Sequence, residues 1–365
     1  MHLGEPLVEE RFIGVIQHAY RSGIRSFMTA DVYGNGAADE MLGRALAGLP
    51  RDSYCLVSAV GHDFYSGERD SSKGFPRFTH SQLRPRQDYA SYLRMATEKS
   101  LERCRAEKFD LLLLHNPDSV GYTQDAVWKG LDKVKEAGLT DRLGIAPGPA
   151  NGFTLDLLLC FERFGPLLDW AMVILNPLEP WPGSLCLQAA AKHDVKIITR
   201  GVDYGGLFHD DVKPGHTFGP QDQRAFRPDG WVEAGHERME KMRSIAEPYG
   251  ITMLQLACLW NLSQAPVASV VPTLIQESRP GSKTIESKVD ELAHLPEIRF
   301  TEEEQEFIGR TGDNKGRMEL KGASRGHTGE PQADRWEVTP ELEAVGKRWD
   351  IDPDRDLICT HPVHH

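Results

Sequence analysis

Seven short apolar runs recur along this chain, each followed by a longer stretch of helical periodicity, and that alternation limits the fold more than any other feature. In order, the strands read as Ile24–Thr29, Tyr54–Val60, Phe109–His115, Arg142–Ala146, Trp170–Asn176, Val195–Arg200 and Val267–Val271. Helices read at Phe12–Ser22, Ala38–Leu46, Tyr89–Glu107, Ala126–Glu136, Leu155–Phe164, Leu185–His193, Gly235–Tyr249, Met253–Leu262 and Ile285–Leu292. In the second of these, Met41, Leu42, Ala45 and Leu46 fall on one face at helical spacing. The third strand carries Leu111 to Leu114 without a polar break, which suits a strand covered on both faces. Strand and helix in alternation predict parallel strands joined by crossover helices. A length of 365 residues suits one (β/α)8 barrel of the TIM type with trimmings.

Such a barrel has eight strands, and only seven are found. A strand is due before the Phe12 helix, where the eleven available residues include Gly4 and Pro6. The first strand is therefore expected to be missing or supplied by another segment, because an open sheet edge has to be paired or protected. The strand-like run Asp356–Thr360 is one candidate filler; a tail that docks on the surface or stays flexible is the stronger alternative. This divides the chain into a barrel, 1–310, and a C-terminal extension, 311–365.

Composition narrows the function classes. With 40% hydrophobic and 26% charged residues, a large core can form. A net charge of −12 argues against nucleic acid, whose binding needs basic surface, but leaves room for a basic pocket that takes a small anion. No run approaches the roughly 20 apolar residues of a membrane span, and the N-terminus shows no signal pattern, so a cytoplasmic protein is expected. Cys55, Cys104, Cys160, Cys186, Cys258 and Cys359 form no CxxC pair and read as reduced core thiols. His62, His80 and His115, or the terminal His361, His364 and His365, lack helical ligand spacing, and no metal is expected. Two long segments, Asp63–Asp88 and Gly201–Gly230, follow strands and hold many aromatics; they either pack on themselves or form a lid and substrate wall.

Three stretches, in order, resemble the aldo-keto reductase family over about residues 8 to 310. The first runs Thr29-Ala30-Asp31-Val32-Tyr33-Gly34 and on to Leu42-Gly43-Arg44-Ala45-Leu46. The second is Lys99–Arg103 followed by Asp110–Asp118, with His115-Asn116-Pro117 at its end. The third is Ile197–Gly201 through Gly206-Leu207-Phe208.

The resemblance implies an oxidoreductase that acts on a small carbonyl, polyol or sugar-like substrate with NADP(H) or NAD(H). The family's tetrad is Asp, Tyr, Lys and His. Tyr33 matches the proton-donating tyrosine and His115 the histidine, while Met28 stands at the aspartate position and Ala59 at the lysine position. Asp31 is a tempting substitute that falls at a variable position; His62, Asp63 or Arg200 are candidates to compensate. For the cofactor, the resemblance points to Arg200, Gly201, Gly206 and Leu207, and to the basic residues Arg279, Lys283 and Lys288. Where the family places side chains that hold the nicotinamide carboxamide, this chain has Ala146, Pro147 and Met172, so a weakened site is expected. The alternatives are a non-redox lyase or isomerase with Tyr33 and His115 as its acid–base pair, and a non-catalytic member. The substrate and the oligomeric state stay open.

Overall fold

In the computed structural model, which describes residues 3–69, 74–148, 154–316 and 338–357, the expected strands form one curled parallel sheet in strict chain order. They are β1 (Ser26–Met28), β2 (Cys55–Val60), β3 (Leu111–His115), β4 (Leu143–Ala146), β5 (Trp170–Ile174), β6 (Lys196–Arg200) and β7 (Val267–Val271). Six are shorter than the sequence suggests, because apolar neighbours such as Phe109 and Leu175 stay buried beyond the paired segments.

Helices cover the outside: α1 (Glu9–Arg21), α2 (Ala37–Ala45), α3 (Tyr89–Cys104), α4 (Ser119–Thr123), α5 (Asp125–Glu136), α6 (Thr154–Phe164), α7 (Leu187–Lys192), α8 (Trp231–Tyr249), α9 (Met253–Leu262) and α10 (Ile285–Ala293). Local chemistry sets several boundaries. Thr252 and Gln255 form a capping box that starts α9, and Gly250, at φ 65°, ends α8 in a left-handed turn.

Two apolar layers follow from the period of two along a strand. Leu56, Val60, Leu112 and Leu114 point outward into the large core beneath the helices. Val57, Ala59, Leu111, Leu113 and Ile198 point inward and make a small separate cluster that fills the barrel. Cys104, Cys160, Cys186 and Cys258 are buried free thiols, as read from sequence.

The sheet has a seam. β1 and β7 are its edges, and among the described residues no strand pairs with either outer side. The central β3 is buried throughout, whereas Ser26 of β1 and Ala268 and Val271 of β7 are exposed. The described residues before α1, from position 3 on, do not enter the sheet. They are sewn to the loop after β7 instead, with Glu5 N donating to Gln276 O (2.7 Å).

The proposed filler Asp356–Thr360 does not start as a strand. Asp356 closes a helical turn, α13 (Pro353–Asp356), because Pro353 suits the first helical turn and Asp352 caps it; 358–360 lie outside the described residues. Between them, α11 (Glu302–Thr311) and α12 (Pro340–Arg348) precede it. The described part of the extension is docked on the barrel, with Arg348 paired to Glu162 and Trp181 Nε1 donating to Asp356 O (2.6 Å).

Candidate active site

The same period of two decides which side chains reach the barrel mouth. His115 follows Leu111 and Leu113 on the inward face of β3, and Arg200 follows Ile198 on that of β6. Each is the last residue of its strand, so both stand at the C-terminal rim, where barrels of this kind carry their chemistry.

Tyr33 arrives by a different route. After β1 the chain turns through Gly34 (φ 60°), Asn35 (φ 56°) and Gly36 (φ 99°), a left-handed sequence open to glycine and asparagine. A Cβ on Gly36 would lie 2.7 Å from the Arg103 side chain. This turn leaves Tyr33 51% exposed, with its ring edge-on to His115 at 5.6 Å between centroids.

His62 is the third member. The backbone at Gly61 passes so close to β3 that a Cβ there would sit 2.6 Å from His115 O. Tyr92 donates to His62 O (2.9 Å), and the His62 ring stands 5.0 Å from that of His115. Arg77 folds back from the same loop, with Nη1 at 2.9 Å from His62 Nδ1 and Nε donating to Asn116 O. The Asn116 amide lies 3.1 Å from His62 Nε2.

Electrostatics keep both histidines neutral. Burial, then the neighbouring Arg77, pulls His62 down to about 4. Burial, then His62, Arg200 and Arg77, holds His115 well below the ordinary histidine range, and its Nδ1 is buried with no hydrogen-bond partner. Partial removal from water pushes the Tyr33 phenol up, while the Arg200 guanidinium pulls the other way. Arg200 is anchored through Nη2 on Pro147 O and Gly148 O, each at 3.0 Å.

The remaining sequence candidates divide clearly. Met28 packs against the inner cluster that contains Ala59, so both positions line the same apolar interior below Tyr33 and His115. Asp31 faces the other way, toward Asp39 and Arg103 in the helical layer; burial and then Asp39 raise its carboxyl well above the usual range. Both of its carboxylate oxygens are buried with no hydrogen-bond partner among the described residues. Asp63 is a loop brace that accepts from Ser66 N (2.9 Å) and pairs with Arg84 (3.0 Å). The loop aromatics mostly pack on themselves: Phe78 stacks on Tyr92, and Tyr204 and Phe208 are buried. His80 is exposed, and among the described residues no three His, Cys, Asp or Glu side chains converge as metal ligands.

Residues 1–280 match the sequence pattern of the Aldo/keto reductase family. The chain belongs to that family. The D-threo-aldose 1-dehydrogenase of a Pseudomonas species is 23% identical over 303 residues, covering 78% of this chain and 84% of its own length. A solved glycerol dehydrogenase from Gluconobacter oxydans aligns with a TM-score of 0.66 at 23% identity, over 84% of this chain and 86% of that one. An aldo/keto reductase from Klebsiella pneumoniae, solved with NADP and acetate, aligns with a TM-score of 0.58 at 18% identity, over 87% of this chain and 93% of that one. At such identities the solved structures speak for the fold alone.

In this aldo/keto reductase the family resemblance assigns the cofactor to a pair of loops, those after β6 and β7. They are bonded to each other. Asp203 accepts from Thr273 N (2.7 Å), and His209 Nε2 donates to Thr273 O (2.8 Å). Arg224, fully buried, grips Asp222 (2.7 Å) and Glu277 (2.6 Å). Lys288 is buried in an ion pair with Asp211 (2.6 Å), and Lys283 pairs with Glu291 (2.6 Å). Of the basic residues predicted for the cofactor, only Arg279 is exposed without an ion pair among the described residues. A different cation stands by the Gly205-Gly206-Leu207 turn. Arg227 lies so close that a Cβ on Gly205 would collide with it, and its Nη1 is buried without a hydrogen-bond partner.

Arg77, Asn116 and Arg227 were not singled out from the sequence. Arg77 and Arg227 sit inside long loops, where no periodicity marks which side chain folds back. Only the position of Asn116, beside the histidine that ends β3, hinted at its place.

Proposed function

We propose that this chain is a reductase of small carbonyl compounds, polyol- or sugar-like, that works with a loosely held nicotinamide cofactor. The observation that carries it is the pairing of Tyr33 and His115 at the rim, with Arg200 as the cation acting on Tyr33. A phenol above its ordinary value, about 10, is protonated at neutral pH, which is the form that gives a proton to a carbonyl oxygen. Neutral His115 orients that oxygen. Arg200 steadies the phenolate that Tyr33 becomes, a task the family gives to a lysine. The cofactor, when bound, supplies the hydride that goes to the carbonyl carbon.

In this reading, Met28 and Ala59 changed as a pair. Removing one partner of a buried ion pair leaves a bare charge at a cost of about 3–5 kcal/mol, whereas replacing both with apolar groups is close to neutral. A thioether and a methyl against one apolar cluster fit the second case.

The residues present fit a dinucleotide only in part. Arg200, Gly201, Gly206 and Leu207 lie along its expected path, with Arg227 and Arg279 as the cations left for phosphates. Ala146 and Met172 are buried and give the carboxamide no side-chain partner. An unpaired buried polar group costs about 1–3 kcal/mol, roughly one to two decades in affinity. Lys283 and Lys288 add nothing until they leave their carboxylates. Free thiols and no apolar spanning helix among the described residues suit a reducing compartment, the cytoplasm.

The test is cofactor oxidation at millimolar NADPH or NADH against a panel of small aldehydes, ketones and keto-sugars. Turnover that Tyr33→Phe abolishes supports the reading; no turnover on any of them sinks it. One observation favours a second reading. The bonded loops and the unpartnered carboxamide site suit an acid–base enzyme that uses Tyr33 and His115 without net redox change. Exchange of substrate hydrogen with deuterated solvent, in the absence of any nicotinamide, distinguishes the two.

A further inference from the structure

We infer that the substrate carries a carboxylate and that Arg77 is the residue that receives it. The chain has 54 acidic against 42 basic residues, so an arginine without a carboxylate partner is out of keeping with its surroundings. Arg84 and Arg103, on neighbouring elements, are paired to Asp63 and Asp39 at 3.0 Å. Arg77 has no ion pair among the described residues. It is held instead by neutral groups: Asn116 O, Phe75 O (3.3 Å) and His62 Nδ1 (2.9 Å). Those contacts use Nε and Nη1 and leave Nη2 without a protein partner among the described residues.

Asp118 acts on Arg77 without forming an ion pair with it among the described residues. The histidines beside Arg77 are neutral, and Arg200 across the mouth adds a second cation that, among the described residues, is bound only to backbone oxygens. Arg77 holds Asn116, the Asn116 side chain comes within 4.0 Å of where a Cβ on Gly148 would stand, and Gly148 O accepts from Arg200. His115 Nδ1 is buried with no hydrogen-bond partner among the described residues. Burial of Arg77 without a counter-ion lowers its basicity, with Asp118 only partly offsetting it. Guanidinium matches carboxylate in shape as well as charge. A carbonyl substrate with an acid group would satisfy Arg77 while its reacting oxygen faces Tyr33.

The turnover arm rests on the reductase reading; the binding arm does not. For turnover, kcat and KM are measured for 4-carboxybenzaldehyde and for its methyl ester with the wild type, Arg77→Met and Arg77→Lys. The wild type prefers the acid, and the ratio of kcat/KM falls about 10- to 100-fold in Arg77→Met, mostly through KM. Arg77→Lys retains part of the preference. For binding, benzoate and benzamide are titrated by calorimetry without cofactor. Benzoate binds the wild type and benzamide does not, a comparison that needs no variant to fold. Neither aldehyde turning over, with benzoate still bound and lost only in Arg77→Met, leaves the carboxylate site standing and removes the reductase reading. Turnover with equal ratios in wild type and Arg77→Met, or equal binding of benzoate and benzamide, overturns the inference and leaves the reductase reading intact. Loss of the preference in an Arg77→Lys protein of unchanged melting temperature also counts against it.

Discussion

The rim of the barrel and the paired loops beyond β6 and β7 differ in how they hold most of their cations, although Arg227 in the loops keeps a buried Nη1 without a partner among the described residues. In the loops, Arg224, Lys288 and Lys283 each meet a carboxylate, and two of them are fully buried doing so. At the rim, among the described residues, Arg77 and Arg200 hydrogen-bond only to neutral groups, and His115 keeps a buried nitrogen without a partner. A satisfied network of buried charge holds structure in place. An unsatisfied one is a standing demand for a ligand, because buried polar groups are otherwise paired. The difference supports the proposal that the chemistry lies at the rim and that the paired loops are held mainly by their own ion pairs.

The largest effect that could break this contrast is on rate. Tyr33→Phe is expected to lower turnover by about 10²- to 10⁴-fold, the usual worth of a positioned acid. Because Tyr33 is half exposed, its loss should move stability by no more than about 0.5 kcal/mol. Parallel rate assays and urea melts check both halves; a Tyr33→Phe protein that melts early but turns over normally reverses the assignment. Arg224→Met should do the converse. It strands Asp222 and Glu277 in the interior and should destabilise the fold by about 3–5 kcal/mol in the same urea melts.

A third effect is read through pH. His62 is lowered from 6.5 to about 4 in the folded chain, so between those values the unfolded chain binds more protons. Stability from this group is therefore fully present above pH 6.5 and is lost as pH falls toward 4, on the order of 3 kcal/mol at most. Melts at pH 4, 5, 6 and 7 should show the wild-type slope flattened in His62→Gln; an unchanged slope means His62 titrates normally. The smallest expected effect is a coupling. Ala59→Lys and Met28→Asp each place a lone charge in an apolar barrel interior, and the double variant should be more stable than the sum of the two by about 1–3 kcal/mol. Strict additivity would mean that the two positions do not face each other.

The sheet was legible because its signals are local. Leu111 to Leu114 can only be a buried strand in this setting, and the same parity carries His115 to the rim. The count of seven strands was legible too, and among the described residues the sheet is open between β1 and β7. What was not legible depends on tertiary pairing. Nothing in the order of residues says that Lys288 will reach Asp211 rather than a phosphate, or that Asp31 will turn away from the mouth toward Asp39. Arg77 shows the limit most sharply: it lies fifteen positions beyond His62 in a loop, and only the fold-back that bonds Asp63 N to Pro76 O (2.8 Å) sets it beside that ring.

We propose that the chemistry at Tyr33 and His115 has been kept while the cofactor cleft has been loosened at the carboxamide and tied across its loops. Calorimetric titration of the full chain with NADPH, NADP, NADH and NAD tests it most directly. The account predicts dissociation constants weakened by about one to two decades from the loss of the carboxamide contacts, in the micromolar range or above. Submicromolar affinity for any of the four would contradict it.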